Sequence, residues 1–489
     1  MNFLKRNSKF LIYALFAFVA VFLFYAVIDP IAVLDTDDWS HSYILRMPIP
    51  IIRAWNPTRV FPEVFEPLVA YFGAYVIYPM LGNYTYSLTI AHSLFISFIL
   101  AIYFYEFVVM IYNRVSRSEK NSIFTGVLFL VLHFIAFLHI WGNNETLLHS
   151  WDLSCLYYYT AASALNAALV MHIVSRGEID EIKNYSLPHK LLVIIWGYFS
   201  IFSNLYSSIV LAAYFGADLI IRLRHEITSK QFTPKRFAVK NSIHVLALGI
   251  WMLSHVIEKT GGRSGSRAGD IFASLRLTLV NLLTLPFHLN VFVFIFSLAV
   301  VILWKRKCKK EKMQIQKLLL CFFLTIAYLF LLCVVVDSLY MTRPDVIIAF
   351  AFWVLIGLMG CFSKLISENK KYELVTLILL GSIVMFVIGH SNMFRPMNYG
   401  DLQYEQCEAI MNDIIAQFRF AEEEGLDEID LVVPKFDTDN NWPISASEYS
   451  CERYQELMYR HHLVGKRIRV KSVVPSEEKS ELFFGTDDM

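Results

Sequence analysis

Asp35, Asp37 and Asp38 place three carboxylates within the stretch Asp35-Thr36-Asp37-Asp38-Trp39-Ser40-His41, directly after a long apolar run. A carboxylate at a membrane–water boundary, partly desolvated by lipid and by Trp39, binds its proton more tightly than in water. That suits it to act as a general base toward a hydroxyl. Adjacent acids shift each other further, so Asp37 and Asp38 need not share a role. Arg46, Arg53, Arg59, Glu63 and Glu66 follow within the same polar segment. Read without chemistry, the triplet is a solvated turn rich in Asp.

Two more constellations carry chemistry-bearing side chains. Lys259, Arg263 and Arg267 lie in a Gly/Ser-rich loop, and Arg343 and Arg59 are added from elsewhere. Spaced guanidinium groups on flexible backbone match the oxygens of a phosphate leaving group. The loop is not a P-loop, because it lacks the Gly-Lys-Ser/Thr ending and follows no strand. The other set is Asn143, Asn144, Glu145, His149, Trp151 and Asp152. Hydrogen-bonding groups beside an aromatic face fit sugar recognition, as do Trp39 and His41. The plain readings are a basic solvated loop, an interfacial aromatic belt and, for Asp152, a helix N-cap. The three aspartates could hold a divalent metal, but no second ligand group at fixed spacing supports one. No cofactor is implied.

These groups must be positioned by apolar helices. The chain has 489 residues, 56% of them hydrophobic and 17% charged, against about 25% charged in soluble proteins. Repeated apolar runs of membrane-spanning length make it an all-α polytopic membrane protein. A net charge of +1 gives no field for a nucleic-acid partner. Lys5, Arg6 and Lys9 precede the first run with no small-residue cleavage site after it, so the first helix is expected to stay as an anchor with its start in the cytoplasm.

The positive-inside rule then predicts eleven spans over 10–28, 84–112, 121–141, 156–174, two short helices within 191–221, 241–257, 288–304, 317–336, 346–362 and 373–390. Residues 29–82 form the first outer loop. Its apolar stretch Phe65 to Leu81, broken by Pro67, Gly73 and Pro79, is read as lying along or dipping into the outer leaflet. The stretch before Pro286 is likewise read as non-crossing. The transmembrane part is thus 1–390, with the C-terminus outside.

Residues 391–489 change composition and are acidic. Cys407, Ile410, Met411, Ile414, Ile415 and Phe418 recur at helical spacing until Gly425. Ile429, Leu431 and Val433 alternate as a strand closed by Pro434. A second helix is expected from an N-cap at Ser445 to Leu463, then a strand through Ile468, Val470 and Ser472. The expectation is a small α/β extracytoplasmic domain on the membrane core. Cys407 and Cys451 could pair there as a disulfide.

A single span followed by an outer loop that opens with acids and continues as membrane-surface helices resembles the GT-C superfamily of integral-membrane glycosyltransferases. Asp35-Thr-Asp37-Asp38 sits where such enzymes keep their acidic motif. Asn56-Pro-Thr-Arg59-Val-Phe-Pro-Glu63 resembles the bacterial Gtr-type glucosyltransferases that decorate O-antigen (lipopolysaccharide) or cell-wall polysaccharide. The resemblance implies a bacterial inner-membrane transferase with its active site on the extracytoplasmic face. Its donor would be a hexose on a polyprenyl phosphate such as undecaprenyl phosphate, its acceptor an envelope polysaccharide or lipid-linked glycan. Transfer would invert the anomeric centre, with Asp37 or Asp38 as base. No second acidic motif aligns. A polysaccharide polymerase or ligase would share outer-face arginines and lipid-linked substrates. A flippase would instead bury charges at the bilayer midplane or show internal repeats; the predicted spans are nearly free of charge, and no repeat is visible.

Overall fold

The structure, a computed structural model, describes residues 2–49, 56, 58–137, 145–260, 270–307, 312–369, 371–377, 381–382 and 394–485. The chain is a bundle of apolar helices carrying a small mixed unit at one end. In order, the helices are α1 (Ser8–Ile28), α2 (Thr36–Tyr43), α3 (Val60–Leu81), α4 (Tyr84–Ser116), α5 (Glu119–Ile135), α6 (Ala162–Ser175), α7 (Leu187–Ile201), α8 (Leu205–Thr228), α9 (Ser242–Thr260), α10 (Ile271–Thr284), α11 (Val291–Lys307), α12 (Ile315–Val335) and α13 (Pro344–Glu368). Among the described residues, six segments are long and apolar enough to cross a bilayer: α1, α3, α4, α8, α12 and the run Ser338–Glu368 that contains α13. A seventh is reached if Pro234–Lys240 and Ser242–Glu258, bent by 89°, count as one span. The chain is therefore a membrane protein with six or seven candidate spans among the described residues, and the expected eleven are not confirmed.

One difference adds a candidate span, and the others remove expected ones. Phe65 to Leu81 belongs to an apolar helix of 22 residues that is long enough to cross, where surface helices were expected. Its prolines do not break it, because Pro67 is absorbed within the helix and Pro79 opens the last turn before Gly82 ends it in a left-handed conformation. Helices α5 and α11 have 17 residues each, about 25 Å, short of a hydrocarbon core of about 30 Å. Within 191–221 the expected pair of helices forms, split at Phe202–Asn204, but only α8 has spanning length. Most of the span expected at 373–390 lies outside the described residues.

Gly73 explains how α3 and α4 lie so close. A Cβ built there would come 2.9 Å from Leu88 Cδ2 and 3.1 Å from Ala91 Cβ. The absent side chain is what admits α4. Gly73→Ala is expected to lower stability by about 1–3 kcal/mol through overpacking. Thermal unfolding in detergent checks this, and an unchanged midpoint would contradict the close approach.

The C-terminal unit contains α14 (Tyr404–Glu423), β1 (Glu428–Pro434), α15 (Glu448–Arg460), β2 (Arg469–Ser476) and α16 (Glu477–Phe484). β1 and β2 pair in parallel, Leu431 opposite Val473, with α15 as the crossover that a parallel pair requires. Ile410, Ile414 and Phe418 of α14 join Leu431, Val433, Leu457 and Met458 in its core. The N-cap of α15 is Ser447, not Ser445. Ser445 instead donates its N–H to Thr36 Oγ1 at 2.8 Å. Cys407 and Cys451 are separate buried thiols on α14 and α15 rather than a disulfide, each Sγ turned back on a carbonyl of its own segment.

This unit is held to α2 by a compact set of bonds. Thr36 gives both its N–H and its hydroxyl to Pro443 O, at 3.1 and 2.8 Å. His461 Nε2–H donates to Ser42 O at 3.1 Å, which leaves Nδ1 to accept the Tyr84 hydroxyl at 2.6 Å. Burial pushes His461 down to about 3, in keeping with a neutral ring in both bonds.

Candidate functional site

The acidic stretch begins a helix. Asp35 is the N-cap of α2, its Oδ1 accepting the Asp37 N–H at 2.8 Å, while Asp38 Oδ2 accepts the Asp35 N–H at 3.3 Å. This reciprocal capping satisfies amide donors that a helix start leaves open, and it uses two of the three acids structurally. Asp38 Oδ1 also accepts the Ser154 N–H at 2.9 Å. Both side chains are buried. Burial, with the Asp152 carboxylate added, pushes both carboxyls well above the usual range. Asp37 points outward with its side chain half exposed, and Arg453 of α15 donates to its Oδ1 at 3.0 Å.

Beneath α2 the fold gathers groups from three segments. Glu66 Oε1 accepts the Ser154 hydroxyl at 2.8 Å. The same hydroxyl meets His41 Nδ1 at 3.0 Å, and His41 Nε2 lies 3.3 Å from the Tyr158 hydroxyl. With the Ser154 proton given to Glu66, His41 Nδ1–H donates to Ser154. Nε2 is then left as an acceptor. Glu63 takes a hydrogen bond from Asn56 at 3.0 Å and shares the single Tyr158 proton, at 3.4 Å, with His41 Nε2, and Arg46 Nε approaches it to 3.6 Å. Arg59 lies over the Tyr158 ring at 5.4 Å and 3.9 Å from Glu258. Burial pushes His41 down to about 4, and Arg59, Arg453 and Arg46 act on it in the same direction against Asp37.

Asp152, pushed up to about 6 mainly by burial, caps the helix turn at Leu153 by accepting the Cys155 N–H. The signs of these two groups oppose. His41 adds stability above its unfolded value of about 6.5 and loses it as the pH falls through 6.5 toward about 4. Asp152 adds stability below its unfolded value of about 3.9 and loses it as the pH rises through about 6. Asp152→Asn keeps an oxygen for the cap, so it is expected to gain on the parent as pH rises from 4 to 7. Melting temperature against pH reads this, and a constant offset across that range would refute it.

Several expected binding residues prove to be packing groups. Trp39 is 1% exposed, its Nε1–H donating to Leu34 O and its ring edge-on to Tyr454 at 4.7 Å. It therefore anchors the C-terminal unit and presents no face to a sugar. His149 is 2% exposed and is pushed down to about 3 by burial. The Trp151 ring is covered by the Arg343 guanidinium at 4.5 Å. Arg343 itself is paired with both oxygens of Asp345, at 3.1 and 2.6 Å, and enclosed by Trp151, Tyr159 and Tyr340. It is 2% exposed, so it offers no open fork to a phosphate. Glu145 is bound to Arg395 at 2.9 Å. Asn144, Arg263 and Arg267 lie outside the described residues, and the side chain of Lys259 does too.

Glu63 and Glu66 were named from sequence only as part of the first polar segment, and Ser154, Tyr158 and Arg453 were not singled out at all. Glu66 and Glu63 share one face of α3 at a spacing of three, and Ser154 and Tyr158 share a face at four. Such spacings juxtapose side chains on a helix, a signal that was legible. Arg453 gives no such signal, because it lies far along the chain and reaches Asp37 only through docking of α15. Among the described residues, no three His, Cys, Asp or Glu side chains are arranged to hold a metal ion. No family model matches the chain, and no curated protein or solved structure matches it.

Proposed function

We propose that the chain is a membrane glycosyltransferase that moves a sugar, a hexose such as glucose, from a polyprenyl-phosphate donor to a glycan hydroxyl at the α2 end of the bundle. Asp37 carries the reading. It is the exposed carboxylate of an otherwise buried acidic cluster, at the margin of an apolar helix bundle, paired with Arg453, while Arg46 and Arg59 act on the neighbouring His41. Of the two candidate bases, it is the one an incoming hydroxyl can reach, since both oxygens of Asp38 are occupied.

In the proposed reaction Asp37 takes the acceptor's hydroxyl proton. The oxygen bonds to the anomeric carbon as the bond from that carbon to the lipid phosphate breaks, inverting the centre. The phosphate leaves with the electron pair, and Arg46, Arg59 and Arg453 are placed to stabilise that charge, a role that typically adds several kcal/mol. Arg46 is the most exposed of the three. The resemblance to Gtr-type enzymes supplies the donor class and the placement in a bacterial inner membrane with the site extracytoplasmic. An envelope polysaccharide is the corresponding acceptor.

The test is transfer from a panel of radiolabelled polyprenyl-phosphate monosaccharides to envelope glycan by purified protein. Donor-dependent labelling is expected. A folded protein that labels from no donor would defeat the reading and favour a polymerase, ligase or flippase. One observation favours transport as the second reading: candidate spans bury Glu66, Glu106 and Asp218, and intramembrane charges often mark pathways. Movement of a lipid-linked glycan across vesicles without bond transfer would decide for it.

A further inference from the structure

At the end of the bundle opposite α2 lies a cavity. Helix α4 runs from Tyr84, bonded to His461, to Arg114 at the far end, about 45 Å at 1.5 Å per residue. There a cavity of about 210 Å³ opens between α4, α6, α8, α11, α12 and α13. Its lining is mostly apolar, with Trp304 and Trp353 in it, and also takes in Arg114, Lys317, Lys364 and Glu178. Lys317 is bonded to Glu178 and Asp218, both at 2.8 Å, and Arg114 Nε–H donates to Val174 O. From Lys364 to Trp353 along α13 is about 16 Å, close to half of a hydrocarbon core of about 30 Å. Gly360 lines this slot, and a Cβ built there meets nothing within 4 Å, so open space adjoins the helix.

From this geometry we infer that the cavity is a binding site for an anionic phospholipid of the adjoining leaflet, acyl chain in the slot and phosphate at the basic residues. The depth matches one leaflet, the walls match hydrocarbon, and the basic residues sit at helix ends where headgroups lie. Basic pockets between transmembrane helices hold anionic headgroups by this combination. The site is remote from Asp37, and the inference stands independently of the proposed reaction.

The full chain in maltoside micelles is offered dioleoyl phosphatidylglycerol, dioleoylglycerol or polyprenyl phosphate, washed, and its retained lipid counted by native mass spectrometry. One phosphatidylglycerol per chain is expected, preferred over dioleoylglycerol by about tenfold or more. Gly360→Leu fills the slot and is expected to abolish retention. Arg114→Gln with Lys364→Gln leaves the slot open and is expected to remove the charge preference. Equal retention of dioleoylglycerol, or parent-like retention in both variants, overturns the site. Retention of polyprenyl phosphate to the exclusion of phosphatidylglycerol overturns the phospholipid as its occupant. Should Gly360→Leu fail to fold, the double charge variant decides.

Discussion

Asp37→Asn is expected to lower glycosyl transfer by about 10²–10⁴-fold, the usual contribution of a positioned general base, with folding intact. Asparagine keeps the shape and an oxygen for Arg453, and the side chain is half exposed, so little packing is at stake. The capacity to take a proton is lost, together with the charge that pairs with Arg453. Asp38→Asn is the informative companion. Asp38 accepts two backbone N–H groups, and an amide nitrogen in place of either oxygen cannot accept. Its loss is expected to appear as about 1 kcal/mol of stability, as for other helix caps. Rates per folded molecule, with the folded fraction measured separately, distinguish the two. Parent-like transfer by folded Asp37→Asn would remove Asp37 as the base. Arg453→Ala, with Arg453→Lys beside it, asks whether the same reaction needs the cation from α15.

Trp39→Ala is expected to have the largest effect on stability, about 3–5 kcal/mol for an aromatic group deleted from a closed core. Its ring is 1% exposed and meets Tyr454 edge-on, an arrangement that adds about 0.5–1.5 kcal/mol beyond burial. The damage is directional, because Trp39 and Thr36 face the C-terminal unit from the same short helix. The prediction is a lower melting temperature together with faster proteolysis in the segment 394–403 that leads into α14. If the ring served chiefly as a sugar platform, Trp39→Ala would leave melting unchanged and weaken only acceptor binding. Trp39→Phe, keeping most of the apolar area, should recover most of the stability.

Much of this architecture was legible along the chain. Apolar runs announced a helical membrane protein because a bilayer demands length and hydropathy that local composition displays. The alternation of Ile429, Leu431 and Val433 and the helical recurrence of Ile410, Ile414 and Phe418 likewise record which face is buried, so the C-terminal helices and strands lie close to where periodicity put them. Charge bias was a weaker guide. It led to Phe65–Leu81 being read as surface helices, whereas packing of Gly73 against Leu88 and Ala91 seats that segment beside α4.

What no local pattern could state is which polar groups are spent on structure. Asp35, Asp38, Trp39, His149 and Arg343 have residue types that do chemistry, and the sequence marked them on that ground. Contacts close them off: Asp35 and Asp38 in a cap within their own helix turn, with the distant Ser154 N–H added on Asp38, Trp39 against Tyr454, and Arg343 between Asp345 and Trp151. Exposure and partnership are set by what other segments bring, often from hundreds of residues away, as Arg453 is brought to Asp37. Residue type and spacing thus determined the membrane class, the helices and the acidic stretch. Only the packed chain decided that Asp37 alone among the three aspartates keeps an exposed carboxylate.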